Sequence, residues 1–257
     1  MSRGWGYASA SVIGTSHLKT PDETCQDSNL CAYLPSVDAF VGVVSDGAGS
    51  ASHGADGSMI ACEVVLDECA GAGLVDIHSR EFSIDVIGSV RNRILSTANG
   101  LGLRERDFAC TMLVAIIGKE RSSFWQIGDG AICFRLLNES PFRFAFWPSK
   151  GEYANVTEFV TDADFLSALN FDSGEYPVAD IALFSDGLER LALDFNANEV
   201  HTPFLAGLFP YLHRRQEGRL HDMDEQLASF LGSERVNKCT DDDKTLILAT
   251  RDNENAT

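Results

Sequence analysis

Two apolar runs, each long enough for a buried strand, end in the same three residues: Val43-Val44-Ser45-Asp46-Gly47 and Leu183-Phe184-Ser185-Asp186-Gly187. An aspartate released at the end of such a strand is held rigidly, and the following glycine lets the backbone come close to whatever is bound. Two further acidic points follow the same pattern, at Trp125-Gln126-Ile127-Gly128-Asp129-Gly130 and at Asp241-Asp242-Asp243 ahead of Thr245-Leu246-Ile247-Leu248-Ala249. If these ends converge, they gather carboxylates that cannot all stay ionised without cations. The expectation is a site for more than one hard divalent metal ion.

The rest of the chain fits a layered domain. Its 257 residues can bury a full core, and no Pro/Ser-rich linker or internal repeat divides it, so residues 1–257 are expected to form one domain. Short β-branched and aromatic runs predict strands over Trp5 to Ile13 and Asn29 to Val44. Helical spacing follows at Asp56 to Ala70 and Ser83 to Ala98. Residues 109–118, 123–127, 131–136 and 142–147 read as four consecutive antiparallel strands. Residues 148–178 read as a surface excursion with a short helix at 162–169. A strand at Ile181 to Phe184, helices at 204–214 and 222–230 and a last strand at 245–250 complete the order, with a frayed tail from Arg251. This alternation suggests sheets with helical layers outside.

Composition narrows the partners. Lys and Arg number 20 against 38 Asp and Glu, a formal charge of -18, and such a field repels a phosphate backbone, so nucleic acid is not expected. No apolar stretch of about 18 residues occurs, and Met1 to Tyr7 lacks a signal-like apolar segment, so no membrane contact and a cytoplasmic location are expected. The seven cysteines contain no C-x-x-C pair and read as reduced core thiols rather than disulfides or a zinc site.

Taken singly, the motifs are weak. Asp129-Gly130 also fits a type I′ hairpin turn between two strands, and both readings stand. Gly47-Ala48-Gly49 fails the dinucleotide spacing, and a Walker loop, H-E-x-x-H and G-x-S-x-G are all absent. Cys110, inside an apolar strand, reads as core rather than nucleophile.

The ordered set is more specific. Gln26-Asp27-Ser28, Ser45-Asp46-Gly47, Ala109-Cys110-Thr111-Met112, Gly128-Asp129-Gly130, Ser185-Asp186-Gly187 and Asp242-Asp243-Lys244-Thr245 resemble, in order and approximate spacing, the metal-dependent PP2C-type (PPM) protein phosphatases. Gly14-Thr15-Ser16-His17-Leu18-Lys19 and Cys25-Gln26-Asp27 are similar to the amino end of a compact bacterial branch. The resemblance spans about residues 5 to 250. It implies an α+β fold, a four-layer αββα sandwich of two antiparallel sheets with helix pairs outside, and two Mn²⁺ or Mg²⁺ ions with a weaker third. By the same resemblance Asp46 is the bridging carboxylate and Gly47 a carbonyl ligand. Asp186 and Asp242 are further ligands, Asp129 serves the third ion, and Asp27 holds water on the metals. All-oxygen coordination suits those ions.

Three positions depart from the family pattern. The arginine that holds the substrate phosphate has no counterpart before Gln26, leaving Lys19 or His17 to substitute. The histidine after the first Asp-Gly is Ala48, which leaves leaving-group protonation to metal-held water or His53. The usual Gly-Asp-Ser is Gly128-Asp129-Gly130, and the usual asparagine after the last ligand is Asp243. The reading is a phosphatase acting on phosphoserine or phosphothreonine in a phosphoprotein substrate, opposing a cognate serine/threonine kinase. The alternative is a catalytically idle PP2C-like domain that binds a phosphoprotein or regulator. A metallonuclease fits the carboxylates but not the acidic surface.

Overall fold

The structure, a computed structural model, describes residues 4–19, 24–148, 157–213 and 215–251. Its strands are β1 (Trp5–Val12), β2 (Ser28–Leu34), β3 (Ala39–Ser45), β4 (Met112–Ile117), β5 (Ser122–Ile127), β6 (Ala131–Leu136), β7 (Arg143–Phe144), β8 (Asn170–Gly174), β9 (Val178–Phe184), β10 (Leu193–Asp194), β11 (Glu199–Val200), β12 (Gly218–Arg219) and β13 (Lys244–Arg251). Its helices are α1 (Gly54–Gly71), α2 (Arg80–Leu101), α3 (Phe165–Ala168), α4 (Glu189–Ala192), α5 (Thr202–Leu208), α6 (His221–Leu231) and α7 (Glu234–Asn237). Sheet I runs β12-β1-β13-β9-β6-β7 and sheet II runs β2-β3-β4-β5-β8. All their pairings are antiparallel except β1 with β12. Strands β10 and β11 form a separate ladder.

The period-two alternation of side chains explains the layers. In β3 and β4, Phe40, Val44, Leu113 and Ala115 face sheet I, where they meet Ile132, Phe134, Leu183 and Ile247. The Phe124 and Phe134 rings stack across this seam at 4.8 Å. The alternate residues Val41, Val43, Val114 and Ile116 face outward, under Ile60, Val65, Ile87, Val90 and Ile94 of α1 and α2. On the far side Ala8, Phe184, Leu246 and Leu248 of sheet I lie under Leu205, Met223, Leu227 and Leu231 of α5 and α6. Strands buried on both faces need near-continuous apolar sequence, which is why these runs lack polar alternation. Each Val, Leu, Ile, Met or Phe among them contributes roughly 1.5–3 kcal/mol of burial free energy. The result is the expected αββα sandwich.

Several elements differ from expectation. The segments at 123–127 and 131–136 are not neighbours: β5 pairs with β4 and β8 in sheet II, whereas β6 pairs with β7 and β9 in sheet I. Gly128-Asp129-Gly130 is thus a crossing between sheets, and the hairpin reading is excluded. The strand at 142–147 shrinks to β7, and the excursion at 148–178 contains β8, which closes the edge of sheet II. The helix expected over 204–214 starts at Thr202 and gives way to a 3₁₀ turn at Phe209–Tyr211, because Pro210 has no N–H to continue the α ladder. Arg214, residues 149–156 and the tail from 252 lie outside the described residues, while Arg251 belongs to β13. The seven cysteines are all free, five of them buried. Among the described residues no helix is long and apolar enough to cross a membrane.

Candidate active site

The acids singled out in the sequence hang from strand ends at one end of the sandwich. Asp46 follows β3 and is fixed by Thr111, which precedes β4. The Asp46 N–H donates to Thr111 Oγ1 (3.0 Å), the Thr111 N–H donates to the Asp46 carbonyl (2.8 Å), and Ser45 Oγ donates to the Thr111 carbonyl (2.6 Å). Gly47 bridges to Cys110, and its N–H donates to the Gln26 carbonyl at 3.1 Å. A Cβ on Gly47 would lie 2.3 Å from Gly54 carbonyl carbon and 2.9 Å from Gln26 oxygen. No other residue fits without moving backbone.

Asp27 precedes β2 in sheet II and is 5 % exposed. Its Oδ2 accepts from Ser185 Oγ at 2.6 Å, and Ser185 Oγ accepts from the Thr245 N–H at 3.0 Å. Asp186 follows Ser185, and Gly187 beside it packs so tightly that a Cβ would sit 2.0 Å from the Asp243 carbonyl oxygen. Asp129 lies between Gly128 (φ +91°) and Gly130 (φ +84°), backbone values that side-chain-bearing residues rarely adopt. The carbonyls of Gly128 and Gly130 both accept from Gln126 Nε2, the Gly130 N–H donates to Glu189 Oε1 (2.9 Å), and Thr157 donates to Asp129 Oδ2 (3.0 Å). Asp242 precedes β13; its carbonyl accepts from the buried Lys244 ammonium at 3.1 Å, and its Oδ1 accepts from the Asp243 N–H at 2.9 Å.

Asp46, Gly47, Asp129, Asp186 and Asp242 line one cavity of about 330 Å³, together with Ser16, His17, Gln26 and Thr111. A larger cavity of about 640 Å³ lies over the outer face of sheet I between α5 and α6, but no carboxylate lines it; the chemistry belongs to the smaller one. Burial, then the charges of Asp27, Asp186, Asp242 and Asp129, push the Asp46 carboxyl well above its ordinary range. Burial and then Asp129 and Asp242 lift Asp186 to about 8. Burial lifts Asp27 to about 7, with Asp243 and Asp242 adding to the rise and the Ser185 hydrogen bond opposing it. Asp27 Oδ1 and Asp186 Oδ1 are buried without a hydrogen-bond partner among the described residues.

An all-oxygen set of mutually repelling carboxylates, with two acceptor oxygens unsatisfied, fits hard divalent cations. Among the described residues no three His, Cys, Asp or Glu side chains are close enough together to cage an ion. The carboxylates instead stand around the cavity wall, an arrangement suited to ions that keep part of their hydration.

Not every residue singled out in the sequence reaches the cavity. His53 does not line it; its Nδ1 is 2.7 Å from Asp56 Oδ2 and its ring stacks on Phe108 at 5.1 Å. The backbone of Lys19 ends the 3₁₀ turn His17–Lys19, and its side chain lies outside the described residues. Asp243 adds charge near the site, where it helps to raise the Asp27 carboxyl, but it is 3 % exposed and absent from the cavity lining. It accepts backbone N–H groups of Gly14 and Gln26, each at 2.6 Å. Sequence reasoning assigned no role to Thr111, Ser185 or Lys244. A hydroxyl beside an acid at a strand end is the one local signal that marks the first two.

A family model described as Protein phosphatase 2C matches residues 13–232, a span that stops short of Asp242. The chain is 36 % identical over 254 residues to serine/threonine-protein phosphatase 3 of Escherichia coli (strain K12), covering 95 % of this chain and 98 % of that one. Among solved structures, the serine/threonine phosphatase Stp1 from Staphylococcus aureus superposes with a TM-score of 0.64 at 15 % identity, covering 98 % of both chains. PppA, a key regulatory component of T6SS in Pseudomonas aeruginosa, superposes with a TM-score of 0.63 at 16 % identity over 97 % of this chain and 99 % of that one. At that identity these two likenesses speak for the fold.

Proposed function

Because the chain belongs to the protein phosphatase 2C family and is a protein serine/threonine phosphatase, we propose that it removes phosphate from phosphoserine or phosphothreonine with two Mn²⁺ or Mg²⁺ ions, opposing a serine/threonine kinase in the cytoplasm. The observation that carries the metal reading is the convergence of Asp46, Asp129, Asp186 and Asp242, from four separated segments, on one cavity. Asp46, the Gly47 carbonyl, Asp186 and Asp242 would hold the two ions, and Asp129 a weaker third. When bound, such ions make a water acidic near neutral pH and offset charge on the phosphoryl oxygens.

The chain's own residues supply order. Thr111 holds the Asp46 backbone on both its N–H and its carbonyl, so this carboxylate enters the cavity from a fixed point. Ser185 fixes one oxygen of Asp27 and leaves the other free to hold a water. Lys19 is proposed to approach the substrate phosphate in place of the family arginine, as a point charge without a bidentate fork. The whole of residues 1–257 is read as one phosphatase domain, its site shared between both sheets.

The test is hydrolysis of a phosphoserine peptide by protein stripped of metal with a chelator. Activity should vanish and return with Mn²⁺ or Mg²⁺. Undiminished turnover in excess chelator would overturn the metal-dependent reading.

A further inference from the structure

We infer that His17, oriented by Asp243, is the general acid that protonates the departing serine or threonine oxygen; the inference rests on the phosphatase reading above. Among the described residues lining the cavity, His17 is the only basic side chain. A serine alkoxide is a poor leaving group, so cleavage of its ester needs a proton donor at that oxygen. The hydroxyls and the amide lining the same cavity are too weakly acidic to give one up.

The geometry sets this imidazole apart from an ordinary surface histidine. His17 Nδ1 lies 3.0 Å from Asp243 Oδ1, whose carboxylate is 3 % exposed while the ring is 25 % exposed. Asp243 is itself fixed from two segments, because Oδ1 accepts the Gly14 N–H and Oδ2 the Gln26 N–H. Ser16, directly before the histidine, donates both its N–H and its hydroxyl to the Asp241 carbonyl. A Cβ on Gly14 would lie 2.3 Å from the Asp242 carbonyl carbon, so the loop carrying His17 rests directly on the turn that carries a site carboxylate. A carboxylate facing Nδ1 keeps a proton on that nitrogen, and the proton that is exchanged then sits on Nε2. Nε2 has no partner among the described residues.

The step balances. The bond from phosphorus to the serine oxygen breaks with its electron pair going to that oxygen, and the Nε2 proton caps it as the free alcohol. Water supplies the incoming phosphate oxygen and gives one proton to solvent, from which the imidazole is recharged. Asp243 is a positioning residue and exchanges nothing.

The test compares two substrates of the Mn²⁺-loaded enzyme: a phosphoserine peptide, whose leaving oxygen needs a proton, and p-nitrophenyl phosphate, whose leaving group departs without one. His17→Asn keeps an N–H donor for Asp243, and His17→Ala removes it; melting curves of both show whether the fold holds. The ratio of kcat on the peptide to kcat on the aryl phosphate should fall about 10²-fold or more in either variant. Equal losses on both substrates would make His17 a phosphate-binding or structural residue and overturn the inference, as would unchanged rates on both. Wild-type enzyme inert on both substrates would instead overturn the phosphatase reading itself.

Discussion

Ser185 and Asp27, separated by 158 residues in sequence, are joined at 2.6 Å across the two sheets, Ser185 at the end of β9 in sheet I and Asp27 just ahead of β2 in sheet II. The bond orients one carboxylate oxygen and ties the layers together beneath the cavity.

Ser185→Ala leaves Asp27 Oδ2 without this donor and the Thr245 N–H without its acceptor. A buried group deprived of its partner costs about 1–3 kcal/mol. Urea unfolding of the metal-free protein should show a loss in that range; an unchanged midpoint would remove the bond from the protein's stability.

The carboxylates make the metal-free protein respond to pH in an unusual direction. Asp186 titrates at about 8 and Asp27 at about 7 when folded, against 3.8 ordinarily. Between those limits the folded chain binds more protons than the unfolded one, so stability is full at low pH and is lost as pH rises through the folded values. In chelator, the melting temperature should fall on moving from slightly acid to slightly alkaline buffer. Asp186→Asn should flatten that fall and raise the alkaline melting temperature. A variant melting with the same pH slope as wild type would contradict the assignment.

Asp129→Ala separates the ions. If Asp129 serves only the weaker third, calorimetry should still find two tight sites while most phosphatase turnover is lost. Loss of tight binding would move Asp129 into the core of the set.

Gly130→Ser restores the residue expected from the family pattern, yet the backbone here has φ +84° and the new Cβ would lie 2.6 Å from the Phe184 carbonyl oxygen. Such strain costs on the order of 1–3 kcal/mol. A variant as stable as wild type would show that the crossing between sheets relaxes readily.

The layers were legible in the sequence because the short apolar, β-branched and aromatic runs within 29–44 and at 181–184 suit strands covered on both faces, and because α1 and α2 keep helical spacing. Two-residue strands such as β10, β11 and β12 carry no period to detect. The crossing at Asp129 was ambiguous for a physical reason: Asp-Gly flanked by strands suits a hairpin turn equally well, and only the partners of β5 and β6 decide. The carboxylates of the site were readable as strand-end acids. Their supports were not, since Thr111 reaches Asp46, and Asp243 reaches Gly14 and Gln26, across gaps in sequence that no local pattern spans.

The cavity's opposite walls belong to different sheets, with Asp46 on sheet II and Asp186 and Asp242 on sheet I. The gap between those carboxylates is therefore gauged by the aromatic and aliphatic side chains that hold the sheets apart, Phe40, Phe124, Phe134, Leu183 and Ile247 among them. Mg²⁺ demands near-ideal spacing, whereas larger cations are more forgiving. If the cavity holds cations as proposed, trimming one of these calipers, far from any oxygen ligand, should shift which ion is preferred.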